Sequence, residues 1–185
     1  MFTPNALYHR EVQDTLVPNT LYSEILDNIV FSAVDLLLVN HEDKYVLWRR
    51  NNEPLKGVLW MPGGRMRKGE KKLGTLIRIL KDEVWLDTSS IQQPLVQLNT
   101  YDFSYSNGPD KPNSFTDASS TVYVVKLQAS AILDLSDQHG SYGLYSLGQI
   151  PDIHPDLDRV MSDHQYYLKH WKIPLEIDLN RLSQD

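Results

Sequence analysis

The 185-residue chain contains no cysteine, which removes disulfides, thiolate nucleophiles and Cys-ligated zinc from its chemistry. Imidazole, carboxylate and backbone oxygen are left as metal ligands. The sequence also lacks an apolar run of about 18 residues, the length that spans a bilayer as a helix. Its opening, MFTPNALYHREVQD, has no basic region followed by an apolar stretch, so no signal peptide is expected and the expected compartment is the cytoplasm. Positive charge is in deficit, with 24 acids against 18 bases and a net charge of −6. Non-specific nucleic-acid binding needs the opposite balance, because it relies on basic surfaces that displace counterions. No internal repeat or low-complexity tract is present.

What remains, 41% hydrophobic and 23% charged, fits one globular domain over 20–185 with an N-terminal extension over 1–19. Asn19 or Thr20 can cap a short helix over LYSEILDNI. FSAVDLLLV at 31–39 reads as a strand interrupted by Asp35, and NHED at 40–43 turns it into KYVLWRR at 44–50 as a hairpin. Strand-like segments near 95–105 and 120–127 flank SYSNGPDKPNSFTDASS, a turn-rich loop. GLYSL at 143–147 reads as a short strand, and Pro155 opens a final helix, PDLDRVMSDHQYYLKHW. This order predicts an α/β (α+β) fold, a mixed β-sheet sandwiched between α-helices.

The stretch that carries chemistry is GGRMRKGEKKLGTLIRILKDEVWL at 63–86. Leu73, Leu76, Ile77, Leu80 and Val84 recur at i, i+3, i+4, i+7 and i+11, which predicts an amphipathic helix with those residues as its buried stripe. On the charged side Arg78 and Asp82 can pair four residues apart, while Glu83 points elsewhere. Before the helix, WMPGG at 60–64 permits a tight backbone approach that a packing helix alone would not need. Arg49, Arg50, Arg65, Arg67, Lys68, Lys71 and Lys72 make this region locally basic within an acidic chain. Farther on, DQHGSYGLYSL at 137–147 places Gln138 and His139 in a polar turn before a strand. Histidine titrates near neutrality and can take a proton from water, and a glutamine oxygen is a neutral ligand suited to Mg2+.

Five residues separate Gly64 from Glu70 and seven separate Glu70 from Arg78, so the segment resembles the box of the Nudix superfamily. It departs from that box at Ile79, Asp82 and Trp85, which stand where the family has two glutamates and a glycine. Tryptophan would strain a left-handed helix end, so the helix is expected to run on at Trp85. The box serves a diphosphate, whose oxygens are bridged by a hard divalent cation held by only one or two protein carboxylates.

A closer resemblance, from about Leu21 to Pro174, is to the GDP-mannose mannosyl hydrolases. It rests on VDLLLV, RRNNEPLKGVLWMPGGRMRKGE, STVYVV and DQHGSY. It implies a Mg2+-dependent enzyme, with Mn2+ as a substitute, that attacks the anomeric carbon of a small-molecule nucleotide sugar, GDP-mannose or GDP-glucose. The products would be GDP and the inverted free sugar. It also implies a homodimer whose N-terminal segment reaches the neighbouring site, with no nucleic-acid or membrane partner.

Carried over residue by residue, the resemblance implies that Glu83, the Gly63 carbonyl and Gln138 bind the metal. Arg50, Arg65 and the Tyr123 hydroxyl would contact substrate, Asp35 would hold the sugar beside Arg65, and His139 would be the general base. Arg49 and Arg50 point to opposite faces of a strand, so only one reaches the ligand, and the alignment favours Arg50. Glu70 and Arg78 look like scaffold for the loop, and His154, His164 and His170 look structural or exposed. Tyr101 or a neighbour stands where the mannosyl hydrolases have a histidine near the sugar. Two other readings stand beside this one: a Nudix pyrophosphatase cleaving a nucleoside diphosphate derivative at phosphorus, and a non-catalytic nucleotide-sugar-binding module.

Overall fold

The computed structural model describes residues 19–92, 94–107, 114–131, 139–150, 152–170 and 175–177. The elements are α1 (Asn19–Leu26), β1 (Phe31–Val39), β2 (Tyr45–Arg50), β3 (Leu59–Trp60), β4 (Gly63–Arg65), α2 (Lys72–Glu83), β5 (Leu95–Ser106), β6 (Phe115–Lys126), β7 (His139–Tyr145), α3 (Pro155–His170) and β8 (Leu175–Ile177). A 3-10 turn occupies Thr88–Ser90. The strands form one mixed sheet in the order β3-β2-β1-β6-β5-β8, with β4 pairing β1 and β7 pairing β2. No helix among the described residues is long and apolar enough to cross a membrane.

β1 is buried from Ala33 to Val39 because helices cover both faces of the sheet, and its run of Val and Leu suits a strand without a wet side. Its alternate residues feed two cores. Val34, Leu36 and Leu38 join Leu76, Ile79, Leu80 and Val84 of the α2 region, whereas Leu37 and Val39 join Leu157, Val160 and Met161 of α3. The predicted mixed sheet between helices is therefore what the chain builds. β1 and β6 run parallel, with Asp35 opposite Val122 and Leu36 opposite Tyr123. α3 is tied down by Tyr45, whose hydroxyl accepts from Gln165 Nε2 at 2.8 Å and meets His164 Nδ1 at 3.0 Å. His164 is buried, and desolvation pushes its pKa down to about 4.

Several sequence expectations need correction. Ile79, not Ile77, lies on the buried stripe of α2, and Ile77 is 40% exposed. Arg78 pairs with Glu70 rather than Asp82. β6 begins at Phe115 and β5 runs to Ser106, so much of the expected turn-rich loop is strand. His139 is the first residue of β7, not part of a turn before it.

α2 also ends at Glu83 instead of running on. Trp85 takes φ +56°, and the Leu86 N–H closes back on the Leu80 carbonyl at 2.9 Å. A side chain in this left-handed region crowds its own backbone. Because Trp85 is 62% exposed, it recovers little of that cost by packing. Trp85→Gly is therefore expected to stabilise the fold by about 1 kcal/mol, the relief of the Cβ crowding exceeding the added freedom of the unfolded chain. A urea midpoint that stays put or falls would refute this.

Candidate active site

The site is built where β1, β2, β4 and the end of α2 converge. β4 lies antiparallel on β1, with Asp35 opposite Gly63 and Val34 opposite Gly64. A Cβ on Gly63 would fall on the Asp35 carboxylate and come within 3.0 Å of the Val34 carbonyl, so only glycine fits there. Gly64 is different, since a Cβ there would meet Glu83 Oε1 at 3.5 Å, an ordinary contact. Glu83, on the last turn of α2, thus holds its carboxylate over the glycine loop.

Asp35 sits below that loop, buried, and accepts a hydrogen bond from the fully buried Ser120 hydroxyl of β6. Burial pushes its pKa up to about 6; the Ser120 bond and the Arg50 charge oppose the rise, and the Glu83 charge adds to it. Arg50 is half-buried, and its Nε donates to the Pro54 carbonyl at 2.7 Å. Desolvation lowers its pKa, while Asp35 and Glu83 act in the other direction. Arg49 is exposed and turns away to donate to the Gly57 carbonyl at 2.5 Å. Of the two arginines, Arg50 is the one whose charge acts on Asp35 and Glu83.

The loop that carries Gly63 and Gly64 is held from behind by Glu70. Its Oε1 accepts from Arg78 Nε at 2.6 Å, and its Oε2 accepts from Arg78 Nη2 at 3.0 Å, the Arg67 N–H at 2.8 Å and the Thr75 hydroxyl at 2.8 Å. Arg78 Nη2 also donates to the Arg65 carbonyl at 3.0 Å. Burial pushes the Glu70 carboxyl up, but the bonds from Arg78, Arg67 and Thr75 outweigh it, and the pKa settles at about 2. The pair clamps loop to helix, as the scaffold reading expects.

Two expected placements do not match this geometry. Arg65 is not beside Asp35: its residue pairs with Ala33, and its guanidinium lies over the Phe31 ring at 4.3 Å from the centroid. Tyr123 is buried on the opposite face of the sheet, in the core under α2, and its hydroxyl donates to Gln97 Oε1 at 3.3 Å. Strand alternation decides this, because Ser120 and Val122 point to the side of Asp35 and Tyr123 does not. Tyr101 is also structural, its hydroxyl donating to Asp163 Oδ2 at 2.8 Å.

For His139 the backbone gives the placement. β7 pairs with β2 so that His139 stands opposite Arg50, the arginine on which the charges of Asp35 and Glu83 act. Gln138 lies outside the described residues. The sequence reasoning missed Ser120, whose signal was its alternation with Val122 and Val124 along a strand already predicted from residue 120.

The model of the NUDIX domain family matches residues 31–165. The chain belongs to the Nudix family. Among curated proteins it is 26% identical over 148 residues to the low-salt glycan biosynthesis protein Agl8 of Haloferax volcanii, covering 80% of this chain and 90% of that one. Among solved structures, a C. elegans Ap4A hydrolase binary complex superposes with a TM-score of 0.61 at 16% identity, covering 76% of this chain and 98% of the other. The MutT protein of Methanosarcina mazei gives 0.59 at 17% identity, covering 78% and 99%. The NUDIX domain of Shewanella oneidensis NrtR, complexed with ADP ribose, gives 0.57 at 19% identity, covering 82% and 99%. At these identities the superpositions establish the Nudix fold.

Nudix enzymes generally use a divalent metal such as Mg2+. No group of three or more His, Asp or Glu side chains among the described residues is arranged to hold an ion. The donors present do suit a hard cation that draws most of its ligands from substrate and water: one carboxylate, Glu83, beside the glycine loop.

Proposed function

We propose that this Nudix protein hydrolyses a GDP-sugar, GDP-mannose or GDP-glucose, to GDP and free sugar by attack of water at the anomeric carbon. The observation that carries the reading is the pairing of His139 with Arg50 across β7 and β2. That register supports His139 as the proton acceptor, because its backbone lies on the strand next to Arg50. The relationship to a protein named for glycan biosynthesis, over most of both chains, supports a sugar-linked substrate.

In this reading Glu83, the Gly63 carbonyl and Gln138 would hold Mg2+. When bound, the metal neutralises charge gathering on the departing diphosphate. Arg50 and Arg65 orient and neutralise phosphate oxygens through charge-assisted bonds. Asp35, fixed by Ser120, accepts from a sugar hydroxyl. His139 takes one proton from water as its oxygen bonds to the anomeric carbon, and the bond from that carbon to the diphosphate oxygen breaks with its electron pair leaving on GDP. Tyr123 has no part in this scheme. The protein acts as a homodimer in the same proposal.

The test is hydrolysis of GDP-mannose with Mg2+ in 18O-labelled water. Label should appear in a sugar of inverted configuration, read by mass and NMR, and His139→Ala should lower kcat by about 10²- to 10⁴-fold. Label in the nucleotide phosphate would replace this reading with cleavage of the P–O–P link. Thermal stabilisation by GDP-mannose without turnover would instead indicate a binding module.

A further inference from the structure

Phe31 opens β1, yet it belongs to neither hydrophobic core among the described residues. It is half-buried, and its ring meets a charge: the Arg65 guanidinium carbon stands 4.3 Å from the ring centroid. Strand geometry fixes which way both side chains face. Alternation puts Phe31, Ala33 and Asp35 on one side of β1, and residues directly opposite in an antiparallel pair share a face. Arg65 stands opposite Ala33 and Gly63 opposite Asp35, so Arg65 rises on the Asp35 side, about 7 Å along β4 from Gly63. An extended arginine side chain spans that distance. The backbone there is pinned on both sides, since Arg78 Nη2 donates to the Arg65 carbonyl at 3.0 Å and the Met66 N–H donates to the Ser32 carbonyl at 3.0 Å.

With the backbone fixed, the charged end of the side chain is what remains to be placed, and that is the end Phe31 meets. Arginine has several rotatable bonds, and the freedom it loses on gripping a substrate is subtracted from affinity unless the side chain is held beforehand. A carboxylate can hold a guanidinium, but it neutralises the charge that a diphosphate needs and takes up N–H donors. An aromatic ring attracts the cation through the negative face of its quadrupole, so the charge is kept and the ring accepts none of the in-plane N–H groups. This attraction strengthens as the cation is withdrawn from water, and Arg65 is half-buried.

We propose that Phe31 is a positioning residue for Arg65, its ring seating the guanidinium on the Asp35 face of the sheet before substrate arrives and leaving its charge for the diphosphate. This inference rests on the nucleotide-sugar reading, in which Arg65 binds phosphate oxygens. Phe31 itself touches no reacting atom. Its contribution is preorganisation: a guanidinium already on the correct face meets the developing charge without first being ordered.

The experiment follows consumption of GDP-mannose with Mg2+ by full-length wild type, Phe31→Tyr, Phe31→Leu and a chain carrying trifluorophenylalanine at position 31. Fluorine nearly preserves the shape and apolar surface of the ring while draining its negative face, so the fold is left intact. The kcat/KM should fall about 3- to 30-fold in Phe31→Leu and in the trifluoro chain, and stay within about twofold of wild type in Phe31→Tyr. In an Arg65→Ala background the same two changes should lower it no further, because Phe31 acts through Arg65. An unchanged kcat/KM in the trifluoro chain overturns the inference while the function stands. So does a loss that persists undiminished in the Arg65→Ala background, which would assign Phe31 to the fold. Failure of the wild type to consume GDP-mannose overturns the underlying reading, and this inference with it.

Discussion

Glu83→Gln should lower Mg2+-dependent turnover by about 10³-fold and raise the Mg2+ concentration needed for half-maximal rate, with the unfolding midpoint nearly unchanged. The amide keeps the shape of the side chain and removes its charge. That charge sits at the end of α2 over the glycine loop, 3.5 Å from where a Gly64 Cβ would stand, and it is the carboxylate of the box that reaches this loop. Glu70 cannot stand in for it, since both of its oxygens are taken by Arg78, Thr75 and the Arg67 N–H. Steady-state kinetics across a Mg2+ titration give the answer. A variant with wild-type kcat and metal dependence would remove Glu83 from the reaction.

Glu70→Ala should act on the fold as well as the rate. Its carboxylate has a side chain only 6% exposed and faces an Arg78 side chain 17% exposed. Removing it strands the guanidinium and releases the Arg67 N–H and the Thr75 hydroxyl, a loss of about 3 kcal/mol. Because Arg78 also holds the Arg65 carbonyl, the glycine loop should loosen and turnover fall with stability. The pH dependence follows from the depressed carboxyl, about 2 in the folded chain against an ordinary 4.5. Its contribution is full above the ordinary value and is lost as pH falls through 4.5 towards 2. Urea midpoints of wild type and variant should differ most at pH 7, draw together below pH 4.5 and converge only as pH falls to about 2. A gap that persists in acid would mean the clamp is not electrostatic.

The sequence displays local elements well and faces poorly. FSAVDLLLV and KYVLWRR announce a hairpin through apolar content and an intervening turn, and β1 and β2 fall where expected. Residues 115–119, FTDAS, carry little strand signal, yet they join β6 because β5 offers a partner along its whole length, with Ser106 opposite Phe115. Tyr123 shows a different limit. Alternation splits β6 into two sets of residues, but which set faces Asp35 depends on the β1–β6 register, and that is a tertiary fact. Trp85 stands out in the sequence as an anomaly, but whether the helix ends there is decided by packing farther along the chain. The pull of Leu86 into the core, where it is 4% exposed, ends the helix despite the crowding at the tryptophan. The neighbourhood of Arg50 and His139 comes from strand pairing between segments far apart in sequence, which no local pattern encodes.

The bond from Ser120 to Asp35 spans 85 residues and depends on parallel pairing of β1 with β6. During synthesis, the β1–β2 hairpin and the Glu70–Arg78 clamp can form as soon as their segments emerge, but Asp35 lacks its Ser120 hydrogen bond until residue 120 has left the ribosome. A nascent or truncated chain ending before β6 would expose an unpaired edge of β1 and an unanchored carboxylate, making it the species most exposed to aggregation and to chaperone capture.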